Sequence, residues 1–262
     1  MTRTKEVLRW VAGERAQSAN DELAVEEPLE IQVDTQPVSV TMRTPGHDDE
    51  LAAGFLVTEG IIASRKDVVK IAPHPRNKQN VINVFLGKAA LDLERLKRHV
   101  FVSSSCGLCG KASIENVHQH FKPLKTRLRV GTDTLLGLPE KLQRAQEAFA
   151  RSGGLHAAGI FTRDGELVVL REDVGRHNAV DKVIGHGLLK GLLPFKDHVL
   201  MVSGRASFEI MQKSLAARIP VVAAVSAPSS LAVDFAIESG QTLVGFLRSG
   251  RMNLYAGKHR VS

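Results

Sequence analysis

The last 110 residues most constrain what this chain can fold into. Short apolar runs, "HVLMVS" (198–203), "VVAAVS" (221–226) and "TLVGFL" (242–247), alternate there with segments of helical periodicity at about 177–190, 207–218 and 229–239. Runs this apolar need cover on both faces, which a sheet obtains by packing helices against it. Strand and helix alternating at this spacing predict a partly parallel sheet with helices on its faces. Before this series, "LHAAGIF" and "ELVVLRE" flank the turn residues Arg163, Asp164 and Gly165 and predict a hairpin.

The first half is more mixed. "LEIQV" (29–33) and "PVSVTMR" (37–43) surround "DTQ" and read as another hairpin. "PGHDDELAAGFLVTEGII" places Leu51, Phe55 and Leu56 on one helical face. Asp48, Asp49 and Glu50 occupy its first turn, where the helix dipole favours acids, and Gly60 is its stop. "NVINVFL" (80–86) alternates as a half-buried strand does. Short helices are expected at about 91–98 and 112–121, then a basic connector (122–133). A helix at about 139–151 is expected to begin with Pro139 and end before Gly153 and Gly154. The composition shift near 122–153 divides the chain into an N-terminal α+β part, 1–130, and an α/β part, 131–262.

Charge narrows the partners. The formal charge of +7 asks for an anionic one: nucleic acid, a phosphorylated ligand or an acidic protein. One Trp and one Tyr give little for a stacking platform on single-stranded nucleic acid. The longest apolar stretch, 219–228, is far short of the ~20 residues a membrane helix needs. The basic start has no apolar core of the kind an export signal requires. Two cysteines are too few for a disulfide framework, and the expected location is the cytoplasm.

In open α/β sheets, ligands sit outside the carboxyl ends of the strands. Three loops are predicted there: "SGRASFE", with Ser207 as helix cap and Gly204 and Arg205 free; "SAPSSLA", capped by Ser229 or Ser230; and "FLRSGRMN", a turn flanked by Arg248 and Arg251. Small residues, free helix-start amides and guanidinium groups together suit phosphate. Taken singly, each loop is an ordinary cap or turn.

Both cysteines, Cys106 and Cys109, lie in "SSSCGLCGKASIENV" (103–117). A structural zinc needs four ligands, and His118 and His120 follow at the wrong spacing to complete the set. A thioredoxin-like pair belongs just after a first strand at the head of a long helix, whereas this pair sits mid-chain among Gly and Ser. A thiol near Lys111 and a helix start has the setting of a nucleophilic sulfur carrier. Local chemistry leaves carrier and redox pair both open, and a basic nucleic-acid-binding module is a third class.

Resemblance separates them. "GFLVTEGII" (54–62), "CGLCG", "GGLHAAGIF" (153–161), "EDVGRHNAVDKVIG" (172–185), "VSGRASFEIMQKS" (202–214), "VSAPSSLAVDFA" (225–236) and "LVGFLRSGRMNLY" (243–255) resemble, in order, the formate dehydrogenase accessory (FdhD/NarQ) family. The likeness implies a sulfurtransferase that takes persulfide sulfur from a cysteine desulfurase. It passes that sulfur to the molybdenum of the bis(molybdopterin guanine dinucleotide) cofactor, bound as substrate, before the cofactor enters the catalytic subunit of formate dehydrogenase. By position, Cys106 matches the persulfide cysteine, and Cys109 relays or releases the sulfur. Phe246, Leu247, Arg248, Ser249, Gly250 and Arg251 match the segment that takes the guanine dinucleotide. The family also implies a homodimer, a cytidine-deaminase-like C-terminal part, and neither nucleic acid nor membrane as partner.

Deaminase chemistry itself is not expected. It needs H-x-E with a later P-C-x-x-C, whereas His156 is followed by Ala158 and the C-x-x-C comes first. The charged stretch holding Glu172, Asp173, Arg176, His177 and Asp181 has two readings: a salt-bridged cap, or a functional one that puts His156, Asp173 and His177 beside the cofactor to move protons.

Overall fold

A computed structural model describes residues 1–87 and 121–262, so both cysteines and the helices expected at 91–98 and 112–121 lie outside the described residues. Strands β1 (Thr2–Arg9) and β2 (Gln17–Ala24) pair as an antiparallel ribbon that local sequence pattern does not announce. β3 (Glu27–Val33) and β4 (Gln36–Arg43) form the expected hairpin, with Asp34 and Thr35 both at positive φ in its turn. Helix α1 (Asp48–Thr58) follows, then β5 (Val68–Pro73) and β6 (Val81–Leu86). These strands make a four-stranded sheet in the order β4-β3-β6-β5, with β3 and β6 parallel.

One boundary moves. The helix expected from Pro139 begins instead at Thr132: α2 runs Thr132–Arg144 with Pro139 inside it, and a separate turn of helix, α3, spans Glu147–Ser152. Leu135, Leu138 and Leu142 recur at helical spacing on the buried side, and their burial outweighs the one backbone hydrogen bond that proline cannot donate. Gly153 ends α3 in the left-handed conformation, φ 64°.

The second half follows its predicted rhythm. β7 (His156–Thr162), β8 (Leu167–Asp173), α4 (Arg176–Leu189), β9 (His198–Val202), α5 (Phe208–Ala216), β10 (Val221–Ala224), α6 (Ser230–Glu238) and β11 (Thr242–Arg248) come in turn. An unpredicted last strand, β12 (Arg251–Ala256), folds back antiparallel on β11. The order is β12-β11-β10-β9-β7-β8, with β9, β10 and β11 parallel and β7 antiparallel to β9.

Alternation along these strands separates two cores. Ala157, Phe161, Val199, Met201, Val221, Ala223 and Val244 pack with the leucines of α2 on one face. Ala158, Ile160, Leu200, Val202, Val222, Ala224 and Leu243 point to the other, where α4, α5 and α6 lie. That second core continues through α1 to Leu29, Ile31, Val33 and Val84 of the smaller sheet. α1 is accordingly buried nearly all round, including Leu51, Ala52, Ala53, Leu56 and Val57, rather than along one stripe. No helix among the described residues is long and apolar enough to cross a membrane.

Candidate functional site

Because β9, β10 and β11 are parallel, their carboxyl ends open on one edge of the sheet; β7 begins there with His156, and β8, its antiparallel neighbour, ends there with Asp173. The three loops read as ligand-facing from sequence therefore emerge side by side. They are stitched together by backbone hydrogen bonds: Ala206 N–H to Ala227 O (3.2 Å), Ser229 N–H to Ala206 O (3.0 Å) and Phe246 N–H to Ser226 O (3.1 Å). Ser207 and Ser229 are the helix caps, accepting from the Ile210 and Ala232 amides.

Residues 246–251 form the β11–β12 corner. The register slips between Gly245 and Arg248, and this bulge sets Phe246 at φ 49° with its ring 43 % exposed. A left-handed conformation is an outlier for a bulky side chain, of the kind held in place where a ring is presented. Leu247 turns the other way into the core, fully buried, and presents no surface to an outside ligand. The Arg248 guanidinium donates to the Val225 carbonyl and, at 3.1 Å, to that of Leu247. Ser249 donates to Glu140 of α2 (3.2 Å), Gly250 supplies φ 83°, and Arg251 is exposed.

The charged stretch after β8 splits between the two readings. Asp173 and Lys182 are both fully buried, 2.7 Å apart. Asp173 also accepts from the backbone amides of Thr44 and Gly175 and from the Asn178 side-chain amide. Its oxygens are fully used, and it is a structural carboxylate rather than a proton carrier. Glu172 accepts from the Ala148 and Phe149 amides at the start of α3. Asp181 binds Lys213 (2.9 Å) and Thr58 (2.8 Å) in a second buried cluster. Only Arg176 and His177 remain directed to the edge.

His177 contacts Glu209 (2.8 Å) and Ser207 (3.2 Å). That hydrogen bond from His177 holds the Glu209 carboxyl below its ordinary range. His156 is pushed below the ordinary imidazole value, first by burial and then by the positive charges of Arg176, His177 and Arg205. Sequence reasoning places Arg176 in the charged stretch but gives it no ligand-facing role; its Nε is buried and has no hydrogen-bond partner among the described residues. Its signal was present in "GRHN", but only the fold shows that no carboxylate among the described residues forms an ion pair with it, Glu209 being engaged by His177. Arg205 and Arg251 likewise have no ion-pair or hydrogen-bond partner for their side chains among the described residues. Unpaired guanidinium groups gathered on one edge suit an anionic ligand. No three His, Cys, Asp or Glu side chains among the described residues converge as metal ligands.

Comparison with known proteins identifies the family. The chain is 50% identical to the "Sulfur carrier protein FdhD" of Streptomyces coelicolor, over 100% of this chain and 96% of the relative. It is 46% identical to the protein of the same name from Sulfurisphaera tokodaii, over 92% of each. The crystal structure of a protein from Desulfotalea psychrophila, assigned as a formate dehydrogenase accessory protein, superposes with a TM-score of 0.80 at 25% identity, covering 100% of this chain and 99% of that one. The FdhD/NarQ family profile matches residues 24–262, and the chain belongs to that family.

Proposed function

We propose that this protein is a cytoplasmic sulfur carrier serving formate dehydrogenase, and that it delivers persulfide sulfur to the molybdenum of bis(molybdopterin guanine dinucleotide), its substrate. The observation that carries the reading is near-full-length identity of about half to proteins named as sulfur carriers. The three stitched loops, with their unpaired arginines, support it as a place for the phosphates of such a ligand.

In the first step, the Cys106 thiolate attacks the terminal sulfur of a cysteine persulfide on a desulfurase. The desulfurase S–S bond breaks, its cysteine leaves as thiolate, and a new S–S bond forms on Cys106. No net oxidation occurs in this exchange, whose rate depends on the thiolate character of the attacker and the leaving group. Cys109 then serves the relay or release of that sulfur. Phe246 presents its ring to the guanine, Leu247 anchors the corner in the core, and Arg248, Ser249, Gly250 and Arg251 hold the nucleotide end. The chain works as a homodimer of two-part protomers, 1–130 and 131–262, the second part deaminase-like in fold but without that chemistry, since position 158 is a buried alanine.

Mass spectrometry after incubation with a cysteine desulfurase and cysteine tests the reading. The expected result is a gain of about 32 Da, one sulfur held as a reversible persulfide, mapping to Cys106 and absent from C106A. C106A should still bind guanosine diphosphate. Sulfur that never appears on Cys106, in a protein that still supports formate oxidation in cells, overturns it.

A further inference from the structure

The edge carries more positive charge than the corner at 246–251 needs. β11 and β7 are separated by β10 and β9, three inter-strand steps, or about 14 Å at ~4.8 Å each. Arg176 packs against Gly204 at the end of β9, two steps from β11, or about 10 Å at ~4.8 Å each. A phosphate held at the corner by hydrogen bonds of about 3 Å does not also reach this far end. Yet the far end has its own unpaired cations.

Gly204 stands at its centre. A Cβ built there would lie 3.3 Å from His156 Nδ1 and 3.8 Å from Arg176 Cδ, so the loop, the imidazole and the arginine meet at one place. Arg205 follows directly in the same loop and is exposed. The Arg176 Nε–H is buried without an acceptor, which costs stability unless a ligand supplies one. The nearby carboxylates are engaged elsewhere: Asp173 by Lys182 and Glu209 by His177.

We propose that Arg176, Arg205 and His156, grouped around Gly204, form a second oxyanion subsite that takes a phosphate-class group of the same ligand whose nucleotide end lies at 246–251. This rests on the function proposed above for the corner, but the subsite itself requires only an oxyanion. His156 is faced by Arg176 and His177 from α4, by Arg205 from the β9 loop, and by Asp173 from β8, itself paired with Lys182. An anion held there offsets the Arg176 and Arg205 charges and favours the protonated imidazole, so binding should draw a proton onto His156.

The test is calorimetric titration of the full chain with inorganic pyrophosphate at constant ionic strength, with guanosine diphosphate as second probe. R176Q and R205Q should each weaken one class of pyrophosphate site about tenfold or more, the cost of losing a charge-assisted hydrogen bond. R251Q should leave that class intact. R176K keeps the charge but loses the Nε–H, and should fall between wild type and R176Q. The His156 ring resonance should titrate at higher pH with saturating pyrophosphate in wild type but not in R176Q. Pyrophosphate binding unchanged in folded R176Q and R205Q, with only R251Q affected, overturns the subsite and spares the corner. Pyrophosphate loss in R176Q and R205Q, in a protein that binds no guanosine diphosphate anywhere, supports the subsite and removes the nucleotide reading of the corner.

Discussion

Gly54 and Gly185 lie back to back where α1 crosses α4: a Cβ on Gly54 would stand 1.8 Å from the Asp181 carbonyl oxygen, and one on Gly185 1.8 Å from that of Glu50. The obstruction in each case is backbone, so no side-chain rotation relieves it. This contact joins the helix between the sheets to the larger sheet, and the Asp181–Lys213–Thr58 cluster sits beside it.

Substituting either glycine by alanine should therefore force the helices apart. G54A or G185A should lower stability by about 3 kcal/mol or more, the upper range for overpacked sites. Urea unfolding measures this, and G137A is the control, because nothing lies within 4 Å of a Cβ at Gly137.

Removing the buried cation beneath the site should be as costly. K182M leaves Asp173, fully buried, without its counter-charge. Breaking such a pair from one side typically costs about 3–5 kcal/mol. A thermal midpoint equal to wild type would show that Asp173 is not the structural carboxylate its contacts indicate.

Acid should loosen the joint between the two sheets through Glu50. Burial alone would raise this carboxyl, but hydrogen bonds from Arg171 (2.5 and 2.8 Å) and His186 (2.8 Å), with the Arg171 charge, hold it below the ordinary 4.5. Its contribution is thus fully present above pH 4.5 and is lost as pH falls through the lower folded value. Urea midpoints followed from about pH 6 to pH 3, across the carboxylate range, should fall more steeply for wild type than for E50Q. Parallel curves would refute the assignment.

At the corner, stability and binding should move in opposite directions. Phe246 holds φ 49° with its ring 43 % exposed, so the strain is offset by little packing. F246G should keep or raise stability by about 1 kcal/mol, the order of the left-handed penalty for a residue with a Cβ. The same variant should weaken guanosine diphosphate binding, read by calorimetry beside thermal melts. Weaker folding with unchanged binding would assign the ring a structural role instead.

Much of the site was readable because its parts are local. Ser207 and Ser229 announced helix starts, the small residues between strand and helix announced loops, and parallel order followed from strand–helix alternation. Those local signals suffice to place three loops on one edge. The start of α2 was misread because Pro139 is a strong local signal, whereas Leu135, Leu138 and Leu142 gain from burial only once the sheet is beneath them. β12 was missed because "RMNLYA" has little strand character of its own; its pairing with β11 supplies the order.

By itself the sequence determined the family, the order of the elements and the two cysteines, since motifs and periodicity depend on neighbours along the chain. Only the tertiary structure decided which charges are spent and which are free. Asp173, Asp181 and Glu172 looked as available as Arg176, but their partners arrive from residues as distant as Thr44, Lys213 and Ala148. A charge is neutralised by what lies within a few ångströms in space, and that distance is set by packing.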